Sequence, residues 1–316
     1  MSVKKLVVMI PCFNEEKTIV SVIESIPKEI SGIGEIEVLV INDGCTDNTV
    51  NLAKLNGVKH IIHNGTNKGL AKTFIKGLNY ALELGADIIV NTDGDNQYPQ
   101  QDIPKLIEPI VKGEADIVIG DRQTGKIPHF SLSKKLFQKF GSAVVRKFSN
   151  TNVPDAVSGF RAFSRECAMK LHVYGDYTYT IETLIQAGRQ KFTITSVPIT
   201  TNPKTRNSRL VKSVFSYLKK SIATIFRIFA IYEPLKVFTY IGIFISLPGI
   251  FLVGKFSYHY LNGEGQGHVQ SVVIGSIIII IGFQTVMFGL VASLIAINRK
   301  LSEETLYYIK KGLLRK

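Results

Sequence analysis

The chain has 316 residues, 45% of them hydrophobic, with 38 Lys and Arg against 25 Asp and Glu and a formal net charge of +13. That size and apolar content exclude a disordered chain and leave room for one large domain with an appendage or for two modest domains. Residues 1–203 hold 23 basic against 21 acidic residues and residues 204–316 hold 15 against 4, so nucleic-acid binding by the near-neutral N-terminal part is disfavoured and the basic surplus belongs to the C-terminal third.

The first apolar run, "LVVMI", is too short for a secretory signal and is followed at once by "PCFNEE". Through residue 120, short apolar runs alternate with amphipathic segments. "KLVVMI", "IEVLVI", "VKHIIH", "ADIIVN" and "ADIVIG" read as strands, and helical patterns start near Glu15, Asp47, Lys68 and Asp102. The alternation predicts an α/β fold, a Rossmann-like, mostly parallel sheet flanked by helices. Ligands of such sheets bind beyond the carboxyl ends of the strands. There the chain places "PCFNEE", "NDGCTDNT", "NGTNKG", "TDGDNQYP" and "GDRQTGK", which bring Glu15, Asp43, Asp93, Asp95 and Arg122 to one edge. Taken singly, these Asp, Asn and Gly residues also suit turns and helix caps. Further on, the pattern predicts a helix over 132–148, the segment "VPDAVSGFRAFSREC", a helix over 179–187 and the strand "FTITSVPI".

"VKSVFSYLKKSIATIFRIFAIY" spaces apolar residues helically between basic ones, as an amphipathic helix in a membrane interface does, with packing against the N-terminal domain as the alternative. Residues 237–253 and 272–297 contain no Asp, Glu, Lys or Arg. Roughly 20 helical residues cross a bilayer core, so both read as transmembrane helices, with Lys255 snorkelling from the shorter one. The connecting stretch "FSYHYLNGEGQGHVQS", residues 256–271, has no Lys or Arg, whereas both outer flanks are basic. The positive-inside rule therefore places the flanks, and residues 1–203 with them, on the cytoplasmic side of what reads as a prokaryotic plasma membrane. The expected organisation is a cytoplasmic domain over 1–203, juxtamembrane helices over 204–233, two spans with a short outer loop over 234–300 and a basic tail over 301–316. Gly275, Gly282 and Gly289, seven apart, offer a face for self-association into a homo-oligomer. The three cysteines form no C-x-x-C pair and suit a reducing compartment; Cys12 and Cys45, each after a strand, read as packing residues before catalytic thiols.

Two aspartates one residue apart after a strand repel each other unless a cation lies between them. The chain has no G-x-x-x-x-G-K-[ST] and no G-x-G-x-x-G after a strand, and "GEGQG" falls between the spans. Carboxylates in place of a phosphate-binding nest point to a divalent ion bridging protein and diphosphate, the chemistry of a nucleoside-diphosphate leaving group.

"PCFNEE", "VINDGCTDNT", "DGDNQYP", "GDR" and "SGFRAFS", in this order over most of residues 6–165, resemble the family-2 inverting glycosyltransferases of GT-A fold. Within them the chain resembles the dolichol-phosphate mannose synthase and polyprenyl-phosphate glycosyltransferase branch. The resemblance implies that Pro11, Phe13, Glu15 and Asp43 line a nucleoside pocket and that Asp93 reaches ribose or metal. It implies that Asp95 with Gln97 holds Mg²⁺ or Mn²⁺ against the diphosphate beside Gly94, and that Arg122 contacts phosphate. Arg206, Ser208 and Arg209 of "NPKTRNSRL" would grip an acceptor phosphate at the membrane edge, or simply lipid headgroups. The chain departs from the family pattern at Phe13, where Tyr is usual, and at Gly94 and Tyr98 of "DGDNQYP".

A hydroxyl acceptor needs a general base, whereas a lipid monophosphate, with a second pKa near 6, is already dianionic at neutral pH and needs cationic positioning instead. Arg122, Arg161, Arg206 and Arg209 suit that need. Asp155 reads as a base, as an orienter of Arg161 or as a turn cap. The expected function is transfer of a hexose from a GDP- or UDP-linked nucleotide-sugar to a polyprenyl phosphate, dolichyl or undecaprenyl, at the cytoplasmic face. Transfer to a lipid hydroxyl or lipid-linked glycan is one alternative, and a non-catalytic nucleotide-binding membrane protein is another. A processive polysaccharide synthase fits less well, because the chain has no tryptophan for a Q-x-x-R-W motif and only two spans.

Overall fold

The computed structural model describes residues 4–123, 153–175, 179–203, 223, 226–227, 229–263 and 269–314. The chain divides into two compact units, Met1–Ile222 with Tyr307–Lys316, and Ala223–Leu306.

The first unit is built on β1 (Lys4–Cys12), β2 (Ile33–Asn42), β3 (His60–His63), β4 (Ile88–Asn91), β5 (Ile117–Asp121), β6 (Arg161–Ser164) and β7 (Ile194–Pro198). These form one sheet in the order β3-β2-β1-β4-β6-β5-β7. Among the described residues, the helices α1 (Ile19–Glu24), α2 (Thr49–Leu55), α3 (Leu70–Glu83), α4 (Ile103–Val111), α5 (Arg165–Lys170) and α6 (Thr180–Arg189) accompany the sheet. Strands β1 to β4 pair in parallel, as the apolar runs predict; β1 is buried on both faces from Leu6 to Ile10, which its unbroken run of aliphatic residues requires.

β6 was not anticipated as a strand. It runs antiparallel between β4 and β5, with Arg161 opposite both Asn91 and Ile119. Because it runs backwards, the residues just before it, 153–160, arrive among the carboxyl ends of β4 and β5. That reversal carries part of "VPDAVSGF" into the site.

The second unit contains α7 (Pro234–Leu261) and most of α8 (Val269–Leu313), both long and apolar enough to cross a membrane. Their contact is made by small residues. A Cβ added to Gly242 would lie 2.6 Å from the carbonyl oxygen of Gly282, and one added to Gly249 would lie 2.6 Å from that of Gly275. Gly289 packs on Phe238, and Gly282 also meets Ser246. The expectation that Gly275, Gly282 and Gly289 serve a second copy is therefore corrected: α7 of the same chain occupies that face. Glycine fits there because backbones this close leave no room for a side chain. Large side chains point outward, with Phe244 75% and Phe251 70% exposed, which water would not tolerate and lipid does. Beside the hairpin, Arg299 lies 4.4 Å over the Tyr232 ring and pairs with Glu303 at 2.9 Å.

α8 continues past residue 300 to Leu313, because "KLSEETLYYIKKGL" carries no proline. Its last turns belong to the first unit, where Tyr307 is buried under Lys170, 4.7 Å from the ring centroid. Lys310 donates to Asn79 Oδ1 at 3.0 Å, and Arg165 donates to the Leu314 carbonyl at 3.2 Å. The helix expected over 132–148 and most of the amphipathic segment before the spans lie outside the described residues.

Candidate active site

Strand order reverses between β1 and β4, and that switch point opens the crevice in which ligands of such sheets bind. On the β1–β2 side the loops are tied to one another. Glu15 N donates to Thr49 Oγ1 at 2.8 Å, Thr46 N to Asn14 Oδ1 at 2.8 Å and Glu16 N to Asp47 Oδ2 at 3.1 Å. Pro11 is buried in the end of β1, and Phe13 is half-buried beyond it. Asp43, 5% exposed, accepts from Asn64 Nδ2 and Lys68 N, each at 2.8 Å, and from Gly69 N at 3.0 Å. Its carboxylate thus secures the loop that enters α3.

The loop after β4 is built around close contacts. Gly94 lies beneath Cys12 and Glu15: a Cβ there would be 3.0 Å from Cys12 Sγ and 3.3 Å from Glu15 Cγ. Its carbonyl accepts from Thr18 Oγ1 at 2.7 Å. This explains the glycine between the two aspartates. Asp95 accepts from Gln97 N at 3.2 Å and from Gln97 Nε2 at 2.8 Å. Gln97, expected as a metal ligand, turns its amide nitrogen to Asp95 and orients that carboxylate. Tyr98 is buried, stacks on Phe160 with ring centroids 5.3 Å apart and accepts from Gly159 N at 3.1 Å. Burial holds its hydroxyl above the usual tyrosine range, so it stays neutral. The departure from the family pattern at Tyr98 is therefore a tie between the Asp95 loop and the segment entering β6.

Asp93 faces that same segment. A Cβ on Gly159 would lie 3.2 Å from an Asp93 carboxylate oxygen and 3.2 Å from the Tyr179 hydroxyl. Tyr179 donates to the Gly159 carbonyl at 3.2 Å, accepts from Asn91 Nδ2 at 2.8 Å and stacks on Phe74 at 3.8 Å. Tyr179 thus holds the segment that Asp93 faces, a role that carried no signal in the sequence.

Arg122 and Asp155 form a two-pronged ion pair, Nε to Oδ2 at 2.7 Å and Nη2 to Oδ1 at 2.9 Å, with Asp155 only 2% exposed. Burial alone would raise the Asp155 pKa, but the charge and hydrogen bonds of Arg122 outweigh it and hold the carboxyl below the usual aspartate range. Burial likewise works to lower the Arg122 pKa and is outweighed by Tyr98, Asp155 and Asp93, so that group is shifted upward. Asp155 therefore orients Arg122 and not Arg161.

Arg161 is also placed differently from expectation. It is fully buried and donates to the carbonyls of Ser158 at 2.7 Å, Ala156 at 2.8 Å and Thr180 at 2.7 Å, and to Thr183 Oγ1 at 3.1 Å. Burial pulls its pKa down to about 10, which leaves it charged at neutral pH. A guanidinium enclosed by its own chain cannot reach an acceptor phosphate; it binds the segment before β6 to the start of α6. Arg206, Ser208 and Arg209 lie outside the described residues.

The structure thus gathers Glu15, Gly94, Asp93, Asp95, Gln97, Arg122 and Asp155 around the carboxyl ends of β1, β4 and β5, while Asp43 and Arg161 serve the scaffold. Asp93 and Asp95 offer hard oxygen donors suited to Mg²⁺ or Mn²⁺. Among the described residues no three His, Cys, Asp or Glu side chains form a metal cage. A site built from one or two carboxylates fits an ion that completes its shell with phosphate oxygens and water, as Mg²⁺ does.

The profile of glycosyl transferase family 2 matches residues 7–171. This is just over half of the chain, which belongs to that family and is a glycosyltransferase. It is 28% identical over 210 residues to an undecaprenyl-phosphate mannosyltransferase of Micrococcus luteus, covering 62% of this chain and 83% of the relative. It is 32% identical over 226 residues to a UDP-N-acetylglucosamine–dolichyl-phosphate N-acetylglucosaminyltransferase of Methanococcus voltae, covering 64% and 87%. Among solved structures it is similar to glucosyl-3-phosphoglycerate synthase from Mycobacterium tuberculosis in complex with Mn²⁺, UDP-glucose and phosphoglyceric acid. The TM-score is 0.57 at 25% identity, with 71% and 79% of the two chains covered. The GT-A fold follows. The same synthase in complex with Mg²⁺ and UDP gives a TM-score of 0.55 at 25% identity, with the same shares covered.

Proposed function

We propose that this chain transfers a hexose, with inversion, from a GDP- or UDP-linked sugar to a polyprenyl phosphate at the cytoplasmic face of the membrane. The observation that carries the acceptor assignment is the Arg122–Asp155 pair. Asp155 is the carboxylate best placed by sequence to act as a base, yet it is committed to Arg122 at 2.7 Å and held in its anionic, weakly basic form. A hydroxyl acceptor needs a base near neutrality; a phosphate acceptor needs only to be held in line with the anomeric carbon. The relatives named for undecaprenyl-phosphate and dolichyl-phosphate substrates, and the two apolar helices, support the same reading.

In this reading Asp93 and Asp95 hold the divalent ion, which when bound offsets the charge that grows on the leaving diphosphate. Gln97 fixes the angle of the Asp95 carboxylate. Pro11, Phe13 and Glu15 border the nucleoside, and Asp43 shapes that wall by securing the 64–69 loop. Arg122, braced by Asp155, faces phosphate with a planar guanidinium whose charge is constant across the working pH range. Arg206, Ser208 and Arg209 receive the acceptor phosphate.

The test is incubation of membranes containing the full chain with labelled GDP- and UDP-sugars and undecaprenyl or dolichyl phosphate. Metal-dependent appearance of label in the lipid fraction is the expected result. Transfer only to a hydroxyl-bearing lipid, with none to either lipid phosphate, would reject the acceptor assignment.

A further inference from the structure

The strand that lies farthest from the switch point sends its exit segment back to the aspartate loop. After β7, Thr200 donates through its backbone N–H at 3.1 Å and its hydroxyl at 3.3 Å to Asp102 Oδ2. Asn202 N then donates to the Gln97 carbonyl at 3.0 Å, and Asn202 Nδ2 donates to the Asn96 carbonyl at 3.0 Å and lies 3.4 Å from Asn96 Oδ1. These partners, Asn96 and Gln97, directly follow Asp95. Asn96 holds a left-handed backbone, φ 58°, a conformation unfavourable for a residue with a Cβ and one that reverses the chain there. The reversal brings Gln97 N and Nε2 back onto the Asp95 carboxylate. Asn202 thus stabilises the turn on which the direction of Asp95 depends.

We propose that Asn202 is a positioning residue for metal and donor diphosphate, acting through Asn96 and Gln97 on Asp95. The inference rests on the reading of Asp95 as a metal ligand. Groups that orient a ligand from behind change metal affinity by about 10–100-fold when removed, and the Asn202 side chain is joined to this ligand through one peptide and one glutamine.

The experiment uses the full chain in detergent. Wild type, N202A, N202D and D95A are titrated with Mn²⁺ in the presence of UDP or GDP and followed by thermal melting, while hydrogen exchange is measured without metal. Wild type should show a metal-dependent rise in melting temperature that D95A lacks. N202A should need about 10-fold more Mn²⁺ for half-effect or worse, with faster exchange at residues 95–98 and unchanged exchange in β1 and β4. N202D, which keeps the shape but turns an oxygen toward the Asn96 carbonyl, should be at least as impaired. Unchanged Mn²⁺ dependence in N202A beside a responsive wild type overturns the role of Asn202 alone, even if exchange at 95–98 quickens. A wild type with no Mn²⁺ response with either nucleotide overturns the metal reading, and this inference falls with it.

Discussion

The strand-end loops and the membrane hairpin solve the same packing problem by opposite means. In the loops, segments distant in sequence are joined by directed polar bonds: Arg122 to Asp155, Tyr98 to Gly159, Asn202 to Asn96. In the hairpin, Gly242 and Gly249 meet Gly282 and Gly275 backbone to backbone. The same polar groups bond to water in the unfolded chain, so polar bonds at the first site contribute modestly to net stability but fix direction, which a catalytic centre needs. Lipid tails offer no hydrophobic gain from helix association, and close approach of the two helices supplies dispersion contacts instead. Chemistry depends on the first kind of contact; the second sets only how the anchor holds together.

Four changes would break or sharpen that contrast. Asp95→Ala should lower transfer by about 10³-fold, the order expected when a group opposing developing charge is lost, with little change in melting without metal; retention of more than a tenth of the rate would remove Asp95 from the metal site. Arg161→Met should act on stability. It leaves the carbonyls of Ser158, Ala156 and Thr180 without these donors, at about 1–3 kcal/mol for each one left unsatisfied. Melting should fall by several degrees, and a variant that melts like wild type would contradict the enclosed-strut description. Gly282→Leu should separate the spans at about 1–3 kcal/mol, visible as a lower melting temperature in detergent, while the remaining folded fraction still binds nucleotide.

The smallest effect concerns pH. The folded pKa of Asp155 lies below its unfolded value, so the stability from its pairing is present above an unfolded pKa of about 3.9. It is lost only as pH falls through the lower folded value. Between pH 5 and 9 Asp155 should add no limb to the rate profile. Any acid limb should sit near pH 6, where the acceptor phosphate takes its proton, and should move when the acceptor is exchanged for one of different acidity. A limb that moves instead in a D155N variant would show Asp155 to be the titrating group.

Much of the donor side was legible because its signals are local. Each of the first five strands is an apolar run followed by a polar loop, and Asp93, Asp95 and Gln97 fall within five residues of one another. β6 was not legible: it has four residues, it starts with a buried arginine, and only register with two neighbours makes it a strand. The Arg122–Asp155 pair spans 33 positions and the Asn202–Asn96 bond 106, distances over which sequence pattern says nothing. The same holds for Arg161, whose type suggested phosphate and whose surroundings made it a strut. The glycine face of α8 was visible as a seven-residue spacing, but its occupant was not until Gly242 and Gly249, also seven apart, were seen against it.

The end of α8 sets an order of events during synthesis. Domains generally fold from the N-terminus as the chain emerges, yet Tyr307, Lys310 and Leu314, which belong to the sugar-transferring unit, follow both long apolar segments in the chain. That unit cannot reach its final form until both hydrophobic segments have left the ribosome, so maturation of the enzyme is tied to its arrival in the bilayer.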